Sequence, residues 1–124
     1  MKAIQTSAAP AALGPYSQAI ISGNFVFTAG QTPLDPASGQ LVGATIGEQA
    51  EQVIKNIKAI LEAAGTSIEK VVKTTCFLAD MKDFAAFNET YAKFFTSKPA
   101  RSTFAVKQLP KDALVEIETI AELG

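Results

Sequence analysis

The stretch SKPARSTFAV holds Arg101, the only arginine in the chain; the other ten basic residues are lysines, and there is no histidine. A guanidinium differs from an ammonium in presenting a rigid planar fork, which grips a carboxylate or phosphate through two parallel hydrogen bonds. Placed at the mouth of a predicted strand, Arg101 reads either as an anion clamp or as an ordinary salt-bridge partner. Without histidine, one chain cannot assemble a Ser-His-Asp triad, a Cys-His pair or the usual zinc sites, so no metal site is expected. Neither G-x-G-x-x-G nor G-x-x-x-x-G-K-[ST] occurs, which leaves phosphate-cradling loops without support. Any catalysis must draw on Arg, Lys, Glu, Asp, Tyr, backbone groups or water.

The elements that would position such groups can be read along the 124 residues, a length that fits one domain, 1–124, with a core of its own. YSQAIISGNFVFTAG reads as two strands joined at Gly23-Asn24, a turn that tolerates positive φ. PLDPASGQ is a turn-rich loop. Thr45 and Glu48 form a T-x-x-E capping box, and Ile46, Ala50, Val53, Ile57, Leu61 and Ala64 make one apolar stripe that ends before Gly65. IEKVVKTTCFLAD predicts a strand from about Val71 to Ala79. Asp80 or Asp83 can cap the next helix, whose Phe84, Phe87, Tyr91 and Phe94 share a core-facing side, with Pro99 as its stop. STFAVKQ and ALVEIETIAEL are the last two strands. The order is β-β-α-β-α-β-β, an α+β pattern with two helices on one face of a mixed sheet.

Each helix carries a single apolar stripe, so the pair covers one sheet face. The strand beginning at Val71 is expected to put Val72, Cys76 and Leu78 on one side and Val71 and Phe77 on the other. Apolar residues on both faces under one covering layer predict an oligomer, in which other subunits cover the second face. Eleven basic and twelve acidic residues give a net charge of −1, which provides no electrostatic footprint for nucleic acid. The apolar runs are too short to span a bilayer, and MKAIQTSAAP lacks the apolar region of a signal peptide. A lone cysteine, Cys76, cannot form an internal disulfide and reads as a buried, inert hydrophobe; a reducing, cytoplasmic setting is expected.

Taken in register, GPYSQAI, FVFTAGQTPLDPASG, VIKNIKAILEAAG, VVKTTCFLADMKDFAAFNETYAKFF, PARSTFAV and LPKDALVEIETIA resemble the RidA (reactive intermediate deaminase, YjgF-like) family over nearly the whole chain. The resemblance implies a chorismate-mutase-like α+β fold, a homotrimer formed through the open sheet face, and clefts between subunits. It also implies hydrolysis of enamine and imine intermediates such as 2-aminoacrylate and 2-iminobutanoate to 2-keto acids and ammonia, with no cofactor. By the same resemblance Arg101 holds the substrate carboxylate, Tyr16 lines the cleft, and Glu116 acts on the hydrolytic water. Gly30 borders the pocket through its backbone, and Asn88 is a further site position whose side chain could equally serve the helix. Two departures bear on substrate preference: Ala29 stands where many members have Ser, and Thr103 where many have Cys. The segment before Arg101 is also shorter than in several members.

The inventory suits imine hydrolysis. The reaction needs a fixed carboxylate, a water aligned on the imine carbon by an acceptor, and, for an enamine, prior protonation at carbon. Tyr16 or water relayed from Glu116 could supply that proton. Judged from the strand alone, Glu116 would be one of three solvated carboxylates, since Glu116, Glu118 and Glu122 share a face; the resemblance turns Glu116 toward the cleft. Non-catalytic binding or sensing of small 2-keto or 2-imino acids would use the same Arg101 clamp. Endoribonuclease or translation-inhibitor activity is disfavoured by the charge and the single arginine, and a chaperone-like oligomer would make Arg101 dispensable.

Overall fold

The computed structural model describes residues 1–124. Six strands, β1 (Lys2–Ile4), β2 (Ala19–Ser22), β3 (Phe25–Thr28), β4 (Val71–Leu78), β5 (Ala100–Ala105) and β6 (Val115–Glu122), form one sheet in the order β1-β2-β3-β6-β4-β5. All neighbours are antiparallel except β4 and β5, which run parallel. Two helices, α1 (Ile46–Ala63) and α2 (Phe84–Phe94), pack against each other on one face of the sheet. The α+β architecture is the expected one, with an N-terminal strand added: β1 pairs with β2 through Lys2↔Ile21 and Ile4↔Ala19.

Local chemistry sets the ends of α1. The Glu48 N–H donates to Thr45 Oγ1 at 3.2 Å and the Thr45 N–H to Glu48 Oε1 at 3.1 Å, completing the capping box. At the other end Gly65 takes φ 90°, and the Gly65 and Thr66 amides donate to the Glu62 and Leu61 carbonyls, both at 3.0 Å. That left-handed glycine termination satisfies two carbonyls that the helix cannot pair itself. The α1 stripe, with Val53, Ile57, Ile60 and Leu61 fully enclosed, joins Val26, Leu78, Phe87, Val115 and Ile117 in a single core.

Asp80 acts as a cap one turn earlier than the helix proper. Its carboxylate accepts from the Lys82 N–H at 2.9 Å and starts a 3-10 turn, Met81–Asp83, that leads into α2; the Asp83 side chain caps nothing. The helix ends at Phe94, ahead of Pro99, and Phe95 turns back into the core, where it stacks on Tyr91 at 4.5 Å.

The face assignment in β4 is corrected by a bulge. Val71 pairs with Ala121 but Lys73 with Ile120, so Val72 is the extra residue and the alternation restarts after it. Val71 is therefore buried with Thr74, Cys76 and Leu78, whereas Val72 lies outside. The open face still carries apolar side chains, since Phe25, Phe27 and Phe104 are each 40–45% exposed and Phe77 packs edge-on against Phe104 at 5.4 Å.

Buried amides tie α1 to the loop that follows β3. Asn56, 1% exposed, donates to the Thr32 and Leu34 carbonyls at 3.2 and 2.9 Å and accepts from Gln52 at 3.0 Å. Gln49 bridges the Gly43 carbonyl and the Leu114 N–H at the entry to β6. Replacing Asn56→Leu strips partners from backbone carbonyls that water reaches poorly. The expected cost is about 2 kcal/mol of unfolding free energy, read from urea denaturation, with the fold retained.

Candidate functional site

Arg101 leaves β5 on the helix-covered side, because its strand partner Thr74 is a buried residue of that face. Its guanidinium lies 4.8 Å from the centre of the Tyr91 ring and 5.5 Å from that of Phe84, and Nη1 donates to Asn88 Oδ1 at 2.8 Å. Phe84, Asn88 and Tyr91 sit at i, i+4 and i+7 of α2, so one helical stripe supplies both ring faces and the hydrogen-bond acceptor. The Tyr91 hydroxyl is in turn fixed by Thr74 Oγ1 at 2.7 Å, and burial pushes its phenol above the ordinary range. No carboxylate lies within ion-pairing distance of Arg101; the one ion pair in the molecule joins Lys55 to Glu51. The guanidinium is thus oriented by neutral groups, with its charge left uncompensated by the chain. Asn88 is an orienting partner of Arg101 rather than a backbone cap. The roles of Phe84 and Tyr91 were missed because the stripe reads simply as core; Asn88 lying between them was the available signal.

Thr103 follows two residues later on the same side of β5, paired with Cys76. Its hydroxyl is the only buried side-chain polar atom with no hydrogen-bond partner. The Cys76 thiol lies near it but bonds Thr74 Oγ1 instead, at 3.9 Å. Burial pushes that thiol up to about 11, which suits an inert cysteine rather than a nucleophile.

Glu116 lies on the other face of the sheet. It pairs with Phe77 of β4 and shares its side with Glu118. The carboxylate sits directly over Gly30: a Cβ there would collide with Oε2 and approach Cδ to 2.9 Å and Cγ to 3.2 Å. Gly30 and its neighbour Ala29 are held beside β6 by the Ala29 N–H to Gln18 carbonyl bond at 2.9 Å and by a Gln31–Ile117 bridge. Loss of hydration, with a smaller contribution from the Glu118 charge, pushes the Glu116 carboxyl above its usual range. Glu118 and Glu122 remain exposed on the same face, as the strand period requires.

Tyr16 is 57% exposed in the loop before β2, at the edge of a hollow of about 420 Å³ shared with Thr6, Ala9, Ser17 and Gln18. Buried Gln18 shapes that loop: it donates to the Thr6, Ala9 and Pro10 carbonyls and accepts from the Thr6 N–H at 2.7 Å. Strand β2 stands four positions from β5 in the sheet, roughly 19 Å at the usual strand spacing. One chain therefore brings Arg101, Asn88 and Thr103 together, and Glu116 with Gly30 and Ala29, but leaves these two groups and Tyr16 apart.

Two measurements check the Glu116 seat. Its folded pKa lies above its unfolded value, so ionisation costs stability as pH rises from about 4.5 through the raised value. Glu116→Gln should therefore be as stable as the parent below that window and more stable at neutral pH, by denaturant unfolding across pH. Gly30→Ala should push the carboxylate outward with little loss of stability. Its side-chain carbon-13 titration should then move down toward an ordinary glutamate.

Comparison with known proteins places the chain. The family profile described as Endoribonuclease L-PSP matches residues 6–123. A RutC family protein of Pyrococcus horikoshii is 57% identical over 119 residues, 95% of this chain and 94% of the relative. The mouse protein named 2-iminobutanoate/2-iminopropanoate deaminase is 50% identical over 124 residues, 99% of this chain and 92% of its own length. The crystal structure of the E. coli YjgF gene product superposes with a TM-score of 0.93 at 48% identity, covering 98% of each chain. With its motifs, its sheet order and this full-length similarity in agreement, the chain belongs to the Endoribonuclease L-PSP family, the RidA/YjgF-like group that its sequence resembles.

Proposed function

We propose that this chain is a hydrolytic deaminase of reactive 2-imino acids and their enamine tautomers, including 2-aminoacrylate and 2-iminobutanoate. It would release 2-keto acids and ammonia, act without a cofactor, and work as a homotrimer with sites between subunits. The observation that carries the reading is Arg101: a half-buried guanidinium, aimed by Asn88 and two aromatic rings, that no carboxylate of the chain neutralises. Such a group suits a carboxylate brought by a small ligand. The name of the mouse relative supports the imine substrate class.

In this reading the substrate carboxylate docks on the Arg101 fork, and Glu116 takes a proton from a water whose oxygen bonds to C2 of the imine. Glu116 returns that proton to the imine nitrogen, giving a neutral carbinolamine. The carbinolamine hydroxyl proton then passes through Glu116 to nitrogen as the C–N bond breaks, so that ammonia leaves and a 2-keto acid remains. A carboxylate held above its usual range is a better proton acceptor near neutral pH than a solvated one. An enamine must first gain a proton at C3, for which Tyr16 or a water relayed from Glu116 is the candidate. Thr103 and the Ala29–Gly30 backbone would border the bound acid.

Assembly is part of the proposal. Arg101 and Glu116 lie on opposite faces of one sheet, and Tyr16 lies toward its far side, so a site using all three needs more than one copy. The exposed aromatics Phe25, Phe27 and Phe104 give the open face a reason to be covered. Endoribonuclease activity, which the family description names, finds no support in a chain with one arginine, no histidine and a net charge of −1.

The test generates 2-iminobutanoate in situ with a threonine dehydratase and follows its decay. The wild type should accelerate that decay. Arg101→Lys, which keeps the charge but loses the fork, should cost about 10- to 100-fold in kcat/KM, as expected for charge-assisted hydrogen bonds worth about 1.5–3 kcal/mol. Decay at the uncatalysed rate with both proteins would rule the reading out for this substrate.

A further inference from the structure

The hollow beside Arg101 is larger and more cationic than a small monocarboxylic acid requires. Its volume is about 540 Å³. Tyr91, Phe95 and Pro99 form its apolar wall, while Thr96, Lys98 and Arg101 supply its polar groups; no carboxylate lines it. Neither cation has an ion-pair partner in the chain. Beyond Lys98 a neighbouring hollow carries Glu69 and Glu122, but neither carboxylate reaches ion-pairing distance.

Lys98 is also one of only three non-glycine residues with positive φ, at 54°. A side-chain-bearing residue adopts that conformation only where its surroundings impose it. Here the Lys98 N–H donates to the Phe95 carbonyl at 3.2 Å, closing a tight turn between the end of α2 and β5. The turn sets Lys98 and Arg101 on one hollow three residues apart. With one carboxylate on the Arg101 fork, the Lys98 ammonium and the Thr96 hydroxyl are left for a second anionic group.

We propose that this hollow is a subsite for a second carboxylate, so that the chain takes dicarboxylic 2-imino acids of four or five carbons as well as small monocarboxylic ones. The proposal rests on the deaminase reading for its reaction and on the pair of cations for its specificity. The chemistry is unchanged: water oxygen bonds to C2, the C–N bond breaks, ammonia leaves, and the second carboxylate takes no part. An ammonium on a flexible stem suits this task, because it can follow a carboxylate carried at either chain length.

The experiment compares iminosuccinate with 2-iminobutanoate, each generated in situ by an amino-acid oxidase, using wild type, Lys98→Met and Lys98→Arg. Lys98→Met keeps most of the stem without the charge. The ratio of kcat/KM for iminosuccinate over 2-iminobutanoate should fall about tenfold in Lys98→Met and recover in Lys98→Arg. An unchanged ratio, or a wild type that accepts only the monocarboxylic imine, overturns the proposal. Calorimetric titration with 2-oxoglutarate and 2-oxobutanoate separates the two readings. Tighter binding of 2-oxoglutarate that depends on Lys98, with no turnover of either imine, would sink the deaminase reading and keep the subsite. Equal affinity for the two keto acids would remove the subsite whatever the turnover.

Discussion

Side chains alternate between the two faces of a strand, and that alternation governs everything this molecule can do with its charged groups. The pairing of Arg101 with Thr74 fixes the guanidinium on the helix side, and the pairing of Glu116 with Phe77 fixes the carboxylate on the open side. Thr74 and Phe77 are three residues apart on β4, an odd number, so the two charges fall on opposite faces. No rotamer change brings them together, since the sheet itself stands between them. The chain thus holds two charged groups in different settings: a cation held by neutral groups under α2, and an acid seated on a glycine above the open face.

Each of the two groups is shaped by what packs against it. On the helix side, α2 brings Phe84, Asn88 and Tyr91 over β5, and two ring faces with one amide oxygen orient the guanidinium without cancelling its charge. A carboxylate in that place would have neutralised the group and occupied the fork. On the open side, Gly30 makes room where any larger residue would strike Glu116. The closeness that desolvates Glu116 is also what raises its proton affinity. The α1 amides Asn56 and Gln49 keep both the post-β3 loop and the start of β6 in place, so the helix layer on one face steadies the acid on the other.

Some elements were legible because their causes are local. The capping box at Thr45 and Glu48, the glycine termination at Gly65 and the Gly23-Asn24 turn each depend on residues within a few positions, and all three are present. Strand β1 was not legible: three residues carry too little periodicity, and its ladder is made with residues 19–21, far along the chain. The Val72 bulge was not legible either, since it exists only relative to Ala121 and Ile120 of β6. That single inserted residue exchanged the places of Val71 and Val72.

The candidate site divides in the same way. Arg101 stood out as a lone arginine, and the shared face of Glu116 and Glu118 follows from spacing alone. The sequence by itself determined the types of group available, the helices with their caps, and the exclusion of histidine chemistry, because those are fixed by composition and by neighbours within a turn. Only the tertiary structure decided that Arg101 is left without a carboxylate partner, that Glu116 rests on Gly30, and that Lys98 shares a hollow with Arg101. Each of these depends on segments that meet only after the sheet has paired and α2 has folded over it.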